Sequence, residues 1–154
     1  MNIALIIAGG SGQRMGQDIP KQFLNVHDRP VIIYTLEAFE RHPNIDAIEV
    51  VCVDGWETIL TAYCKQFNIT KLENIVKGGD NGQSSIRNGI MDIASRHKPE
   101  DLVLIHDAIR PMVSEDIISD CIRVASKYGN AITSIPCMEA MLRTADGVSS
   151  REQI

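Results

Sequence analysis

The alternation of short apolar runs with amphipathic segments constrains this chain more than any other feature of its sequence. The run over residues 2–8 is almost entirely apolar, which predicts a strand covered on both faces. Helical periodicity then alternates with further apolar runs. The predicted strands are 2–8, 47–53, 74–77, 101–106 and 131–135, and the predicted helices are 30–41, 56–67, 84–96 and 114–128.

Residues suited to helix ends lie at several of these boundaries. Asp28 is available as a cap before the first helix, and Pro30 lies near its first position. Ser114 is the predicted N-cap of the last helix, with Asp116 in its first turn and Gly129 after its end. These signals support the predicted order of strands and helices.

Strands that alternate with helices predict an α/β fold, a doubly wound and mostly parallel sheet with helices on both faces. The expected domain organisation is a single domain over residues 1–154. Ligands of such sheets bind beyond the carboxyl ends of the strands, where the strand order reverses. Chemistry is therefore expected in the loops that follow Ala8, Val53, Lys77, His106 and Ile135.

Composition and charge exclude several classes of protein. The net charge is −5, which disfavours a protein that coats nucleic acid or an anionic membrane. No apolar run approaches membrane length, and only Met1 and Asn2 precede the first one, so no signal peptide is expected. The cysteines form no CxxC and no zinc spacing, which predicts free thiols. A soluble, cytoplasmic protein is expected.

The first loop, residues 9–22, is rich in glycine and carries two cations. Gly9, Gly10 and Gly12 allow close approach of the backbone to a ligand, with N–H groups turned toward phosphate oxygens. Arg14 and Lys21 add a guanidinium and an ammonium group. This combination predicts phosphate binding; the alternative is a tight turn with two solvated cations.

Three familiar motifs do not fit the first loop. A dinucleotide fingerprint needs a third glycine at position 15 rather than at Gly16, and Asp54 follows too late to be its acidic residue. A P-loop lysine follows a glycine, whereas Lys21 follows a proline. A hydrolase elbow would need glycine where Gln13 stands.

The second loop, residues 78–85, is dense in glycine, asparagine and serine. Its many hydrogen-bonding groups suit recognition of a base edge or a ribose. The alternative is a turn that leads into a helix, with Ser84 or Ser85 as the N-cap.

The third loop, residues 106–111, reads HDAIRP at a predicted strand end. Asp107 could hold Mg²⁺ through its carboxylate, and Arg110 could hold a phosphate. The alternative is a local ion pair between these two residues that fixes the loop. His106 is interpreted as a packed residue rather than a metal ligand, because the other histidines form no cluster with it.

The three loops together, in this order and spacing, resemble one family. The pattern AGGSGQRM…PKQ, then GGDNGQSS, then HDAIRP, is similar to that of the CTP:polyol-phosphate cytidylyltransferases, which act on 2-C-methyl-D-erythritol 4-phosphate or ribitol 5-phosphate. The resemblance extends from Ile3 to about Ile135.

The resemblance implies a role for each matching residue. Arg14 and Lys21 would be the catalytic cations, and Asp107 would face Mg²⁺ as well as the acceptor phosphate, together with Arg110. The implied ligands of the CTP phosphates, ribose and cytosine are Ala8, Gly9, Gly10, Ser11, Gly12, Gly79, Asp80, Ser85 and Ala108. The resemblance also implies a homodimer.

Three departures separate this chain from the family pattern. Gly82 stands where the family usually has arginine, and Pro136-Cys137-Met138-Glu139-Ala140 replaces a Pro-Val-x-Asp-Thr segment near the acceptor. Relatives continue beyond the equivalent of Ile154, so a truncated chain is expected, with 136–154 as the start of a dimerisation arm.

The expected reaction is transfer of CMP from CTP to methylerythritol phosphate, with ribitol 5-phosphate as the second acceptor. A transferase that uses UTP or GTP with a sugar phosphate is an alternative of the same class. A nucleotide-binding module without turnover is the alternative from another class, and a dehydrogenase is the third.

Overall fold

A computed structural model of the protein describes residues 1–10, 19–136, 142–145 and 152–153. Strands and helices alternate along most of this length. In chain order the elements are β1 (Asn2–Ala8), a short 3-10 helix (Lys21–Phe23), β2 (Asn25–Val26), β3 (Arg29–Pro30), α1 (Val31–Arg41), β4 (Ala47–Cys52), α2 (Glu57–Gln66), β5 (Leu72–Lys77), α3 (Gly82–Arg96), β6 (Leu102–Asp107), α4 (Glu115–Tyr128), β7 (Leu142–Arg143) and β8 (Glu152–Gln153).

Four parallel strands form the central sheet in the order β5-β4-β1-β6. In the register of this sheet, Ile6 of β1 lies between Val50 of β4 and His106 of β6. The chain moves outward from β1 to β4 and β5, and then returns to place β6 on the other side of β1. The strand order therefore reverses between β1 and β6, which is where α/β sheets bind ligands.

Helices cover both faces of the sheet, as the sequence predicts. Alternate residues of β1 enter different cores, because successive side chains of a strand point to opposite faces. Ile6 packs with Leu36 of α1 and Leu60 of α2, in a core that also contains residues of α4. Leu5 belongs to the second core, which includes Ile93 of α3.

The predicted strand at 131–135 is wrong. Every other predicted strand and every predicted helix is present, with ends that differ by two residues or fewer. Residues 131–136 form no strand, and the side chains of Ile132 and Ile135 are 88% exposed. An apolar, extended segment becomes a strand only when a neighbour completes its hydrogen bonds, and no described strand pairs with this segment.

Asp28 does not cap α1. His27 and Asp28 have φ of 49° and 62° and form the two-residue turn of the β2–β3 hairpin, a turn type that requires positive φ at both positions. Pro30 occupies the N-cap position of α1 instead. The predictions at α4 are confirmed, since Ser114 Oγ accepts a hydrogen bond from the Ile117 amide and Gly129 ends the helix in the left-handed conformation.

The described cysteines are free thiols, as the sequence predicts. Cys52 and Cys64 are buried, and burial raises the pKa of each thiol to about 12. Cys121 is half-buried, and Cys137 lies outside the described residues. In the part of the chain that the structure describes, no helix has the length and apolar character needed to cross a bilayer.

Candidate functional site

The three loops singled out in the sequence begin at the same edge of the sheet, here called the carboxyl edge, where β1, β4, β5 and β6 end. Hydrogen bonds continue the strand ladder into these loops. The amide of Gly78 donates to the Cys52 carbonyl at 2.8 Å, and the amide of Ala108 donates to the Ile7 carbonyl at 3.0 Å. Gly78 at the start of the second loop and Ala108 in the third loop are thereby fixed to the sheet.

The first and second loops touch each other across the end of β4. A Cβ atom built on Gly78 would lie 3.2 Å from the Cα of Gly9 and 3.2 Å from the Cys52 carbonyl oxygen. A Cβ atom on Gly9 would lie 3.0 Å from Ser85 Oγ. These spacings are tighter than ordinary van der Waals contact, so glycine at both positions is what allows the two loops to meet.

Ser85 belongs to this contact and is not the cap of α3. Its side chain is buried, and its Oγ accepts a hydrogen bond from the Gly79 amide at 3.0 Å. The cap is Asn81, whose Oδ1 accepts from the Ser84 amide, while Ser84 Oγ accepts from the Asn81 amide. The expectation that Ser84 or Ser85 is the N-cap is therefore wrong, although Ser84 completes the capping box.

The segment that carries Lys21 is fixed by buried neighbours. Gln22 is 1% exposed, and its Nε2 donates to the carbonyls of Ala8 and Gly10 at 2.7 and 3.0 Å. The Phe23 ring stacks on Trp56, with 4.6 Å between the ring centroids. Lys21 is half-buried and makes no ion pair with any described residue.

The third loop contains the ion pair that the sequence left as an alternative. Arg110 Nε donates to Asp107 Oδ2 at 2.6 Å, and both side chains are exposed. His106 packs against Phe39, and its Nε2 lies 2.9 Å from the Arg110 carbonyl oxygen. His106 is therefore a packed residue, as the sequence predicts.

Ala108, also in the third loop, is fully buried. Thr35 Oγ1 of α1 donates to its carbonyl oxygen at 2.7 Å. The third loop is thus held both by the sheet and by α1.

Sequence reasoning overlooked several residues around these loops. Gln22, Thr35 and Trp56 make the contacts just described, yet each resembles an ordinary member of a turn or an apolar helix face.

An exposed ion pair joins the ends of β4 and β5, where Lys77 Nζ lies 2.9 Å from Asp54 Oδ1. Hydrogen bonding to Asp54 raises the pKa of Lys77. The sequence signal for this ion pair was that Lys77 stands at the end of a predicted strand.

The predicted site residues divide along the order of the strands. Ala8, Gly9 and Gly10 follow β1 in the middle of the sheet. Gly79, Asp80 and Ser85 follow β5 at one side, with Asp80 exposed at the rim, and Asp107, Ala108 and Arg110 follow β6 at the other side. Ser11, Gly12, Arg14 and the Cys137–Ala140 segment lie outside the described residues.

The prediction of Mg²⁺ at Asp107 can be compared with the donor atoms present. Among the described residues, no three His, Cys, Asp or Glu side chains are grouped as a metal site. Mg²⁺ that is bound with a nucleotide needs only one or two carboxylates, because phosphate oxygens and water complete its coordination. The exposed Asp107 carboxylate fits such a site.

A parallel sheet with a glycine-rich sequence after its central strand and charged groups on the adjacent loops is typical of α/β proteins that bind nucleotides. Comparison with known families agrees with this class. A model of the family described as IspD, 2-C-methyl-D-erythritol 4-phosphate cytidylyltransferase, matches residues 2–152. The chain belongs to this family of cytidylyltransferases.

Individual relatives carry two different acceptor names. The chain is 46% identical over 139 residues to a ribitol-5-phosphate cytidylyltransferase of Lacticaseibacillus paracasei, a match that covers 90% of this chain and 59% of the relative. It is 39% identical over 134 residues to a 2-C-methyl-D-erythritol 4-phosphate cytidylyltransferase of Clostridium botulinum, covering 87% of this chain and 57% of the relative. The chain thus spans about three fifths of the curated relatives it matches.

Solved structures share the fold. The crystal structure of 4-diphosphocytidyl-2C-methyl-D-erythritol synthase from Anaerococcus prevotii superposes with a TM-score of 0.78 at 26% identity. The match covers 99% of this chain and 62% of that protein. The α/β fold predicted from the sequence is therefore confirmed.

Proposed function

We propose that this protein transfers CMP from CTP to a polyol phosphate and releases pyrophosphate. The contact of Gly9 with Gly78 and Ser85 is the observation that carries the proposal. This contact joins the first loop, which has the features of a phosphate site, to the second loop, which has the features of a base site. The third loop, with Asp107 and Arg110, lies on the other side of β1.

The proposed reaction requires positioning and charge neutralisation rather than a covalent intermediate. A phosphate oxygen of the acceptor forms a bond to the α-phosphorus of CTP as the bond from that phosphorus to the bridging oxygen breaks, and pyrophosphate leaves. Backbone N–H groups of the first loop bind the phosphates, and Arg14 and Lys21 neutralise the charge that develops on them. Arg110 binds the acceptor phosphate.

We assign Asp107 as the protein ligand of Mg²⁺. When bound, Mg²⁺ would neutralise phosphate charge and favour departure of pyrophosphate. The Asp107 carboxylate also accepts a hydrogen bond from Arg110, so one residue would connect the metal to the acceptor site.

The acceptor is proposed to be 2-C-methyl-D-erythritol 4-phosphate, in agreement with the family description. Ribitol 5-phosphate is the second candidate, because relatives at 46% identity carry that name. The segment from Pro136 to Ala140, which departs from the family pattern, is the part of the sequence expected to distinguish these acceptors. The homodimer and the cytoplasmic location stay predictions.

Release of pyrophosphate from Mg·CTP tests the proposal, with each acceptor supplied separately and CTP binding measured by calorimetry on the same sample. Turnover with one acceptor supports a cytidylyltransferase and identifies its substrate. CTP binding without turnover on either acceptor would contradict the proposal and favour a nucleotide-binding module. Stronger binding of UTP or GTP would favour the alternative of the same class, a transferase that uses one of these nucleotides with a sugar phosphate.

A further inference from the structure

Gln22 occupies an unusual place for a polar side chain. It is 1% exposed and lies directly after Lys21, in the short 3-10 helix. Its amide nitrogen donates to Ala8 at the end of β1 and to Gly10 in the first loop, at 2.7 and 3.0 Å. One amide group thus joins the beginning of the first loop to its end.

The two carbonyl groups depend on Gln22 to different degrees. The Ala8 carbonyl also accepts the amide of Val53 at 3.1 Å, so it keeps a sheet hydrogen bond when Gln22 is replaced. The Gly10 carbonyl lies beyond the end of β1, outside the strand ladder. Loss of the amide should therefore affect the glycine-rich backbone more than the sheet.

The neighbours of Gln22 transmit this constraint to Lys21. Pro20 and Gln22 are both buried on either side of the half-buried lysine, and Phe23 is stacked on Trp56. The backbone of Lys21 is thereby held in a fixed position relative to Gly10. A cation that stabilises a transition state is effective only when it is held in place, because misplacement by about 1 Å can cost roughly 100-fold in rate.

We infer that Gln22 is a positioning residue that couples Lys21 to the phosphate-binding backbone of the first loop. The inference rests on the proposed function and adds to it a residue that does not itself touch the substrate. It assigns to a buried amide the placement of a cation, a role beyond that of filling the core.

A double-mutant cycle with Lys21 tests this inference. Gln22→Met preserves the volume of the side chain and removes both donated hydrogens. It should lower kcat for pyrophosphate release at least about tenfold, and change KM for CTP by less than about threefold. In a Lys21→Met background the same substitution should change kcat by less than about twofold, because the residue on which it acts is gone.

Ser119→Ala is the matched control for loss of a hydrogen bond to a buried polar group. Ser119 Oγ lies 3.0 Å from Nε2 of His42, which is 1% exposed and follows the end of α1, away from the three loops. This variant should keep kcat, although its melting temperature falls as much as that of Gln22→Met. Equal kcat in Gln22→Met and Ser119→Ala would overturn the inference. So would a double variant in which Gln22→Met lowers kcat as much in the Lys21→Met background as it does alone.

Amide hydrogen exchange separates this inference from the proposed function. If the unaltered chain binds CTP without releasing pyrophosphate, the transferase proposal fails, and exchange at Gly10 and Lys21 decides the role of Gln22. Faster exchange at these two amides in Gln22→Met than in Ser119→Ala supports coupling of the loop. Equal exchange in both variants overturns it.

Discussion

Ser85 Oγ accepts a hydrogen bond from the Gly79 amide at 3.0 Å, inside the loop that precedes α3. The same oxygen lies 3.0 Å from the position that a Cβ atom of Gly9 would occupy. One buried hydroxyl therefore fixes the backbone of the second loop and contacts the first loop. Because the proposed base and phosphate sites are on these two loops, their relative position depends on Ser85.

Ser85→Ala should weaken CTP binding. Without the hydroxyl, the Gly79 amide loses its acceptor, and the second loop is no longer fixed against the first. We expect Kd for CTP to rise at least about tenfold, and stability to fall by about 1 kcal/mol. Calorimetry and thermal melting measure the two effects. Ser95→Ala, in the last turn of α3, removes a hydrogen bond to Asp92 far from the loops and should leave CTP binding unchanged; an equal loss of affinity would contradict the role of Ser85.

Gly9→Ala and Gly10→Ala form a matched pair of substitutions at neighbouring positions. The new methyl group at Gly9 would press on Ser85 Oγ, which lies 3.0 Å from the Cβ position, whereas no described atom lies within 4 Å of a Cβ atom at Gly10. Gly9→Ala should therefore cost about 1–3 kcal/mol of stability and most of the CTP affinity, and Gly10→Ala should cost less than about 0.5 kcal/mol. Urea unfolding of both variants checks the stability difference, and CTP titration of Gly9→Ala measures the loss of affinity. Equal losses of stability in the two variants would exclude the contact as the cause.

The architecture could be predicted from the sequence because a strand that is buried on both faces is a continuous apolar run, which can be recognised without knowing its neighbours. An apolar run such as residues 2–8 specifies a covered strand without knowledge of its neighbours. The strand predicted at 131–135 is wrong for the opposite reason, since an apolar run alone does not supply a pairing partner. The positions of the three loops also followed from the sequence, because parallel strands must end at one edge.

The supporting contacts of the site were not accessible from sequence. Gln22 contacts a carbonyl 14 residues away, and Thr35 contacts one 73 residues away, so neither contact leaves a periodic signal. Asn81 caps α3 because the helix begins directly after it, and the start of the helix is set by the conformation of the second loop. Asn81, Ser84 and Ser85 are all suitable capping residues, and only the packing of Ser85 against Gly9 assigns their roles.

Asp107→Asn distinguishes metal binding from fixation of the third loop. Loss of the charge should raise the Mg²⁺ concentration for half-maximal turnover at least about fivefold, because a neutral amide is a poorer ligand. Arg110→Ala breaks the same ion pair and leaves the carboxylate in place. It should raise KM for the acceptor and leave the Mg²⁺ titration unchanged. If both variants shift the Mg²⁺ titration equally, the pair serves only to fix the loop.

Glu49 makes stability depend on pH at a position away from the proposed site. Its side chain is 1% exposed on β4, where it contacts Arg96 of α3. Burial, and then the neighbouring Asp92 carboxylate, raise the pKa of Glu49 from 4.5 to about 8, and Arg96 only partly opposes this. The Asp92 carboxylate is held by Arg96 at 2.7 Å and by Asn74 at 2.9 Å, which lower its own pKa.

The direction of the effect follows from the protons bound in each state. Between pH 4.5 and about 8 the folded protein keeps the proton on Glu49, whereas the unfolded chain has released it. The contribution of protonated Glu49 to the free energy of unfolding is therefore complete below pH 4.5, and it is lost as pH rises through about 8. Glu49→Gln cannot ionise, so it should lose less stability over this range. One unit of pKa shift corresponds to about 1.4 kcal/mol, so the difference between pH 6 and 9 should exceed about 1 kcal/mol.

Urea unfolding of the unaltered chain and of Glu49→Gln at a series of pH values measures this difference directly. The two stability curves should separate as pH rises, with the glutamine variant the more stable above pH 8. Glu100→Gln removes the charge of an exposed carboxylate and serves as the control, since its curve should run parallel to that of the unaltered chain. Parallel curves for Glu49→Gln as well would mean that Arg96 keeps Glu49 ionised, and that the ion pair outweighs the cost of burying its charge.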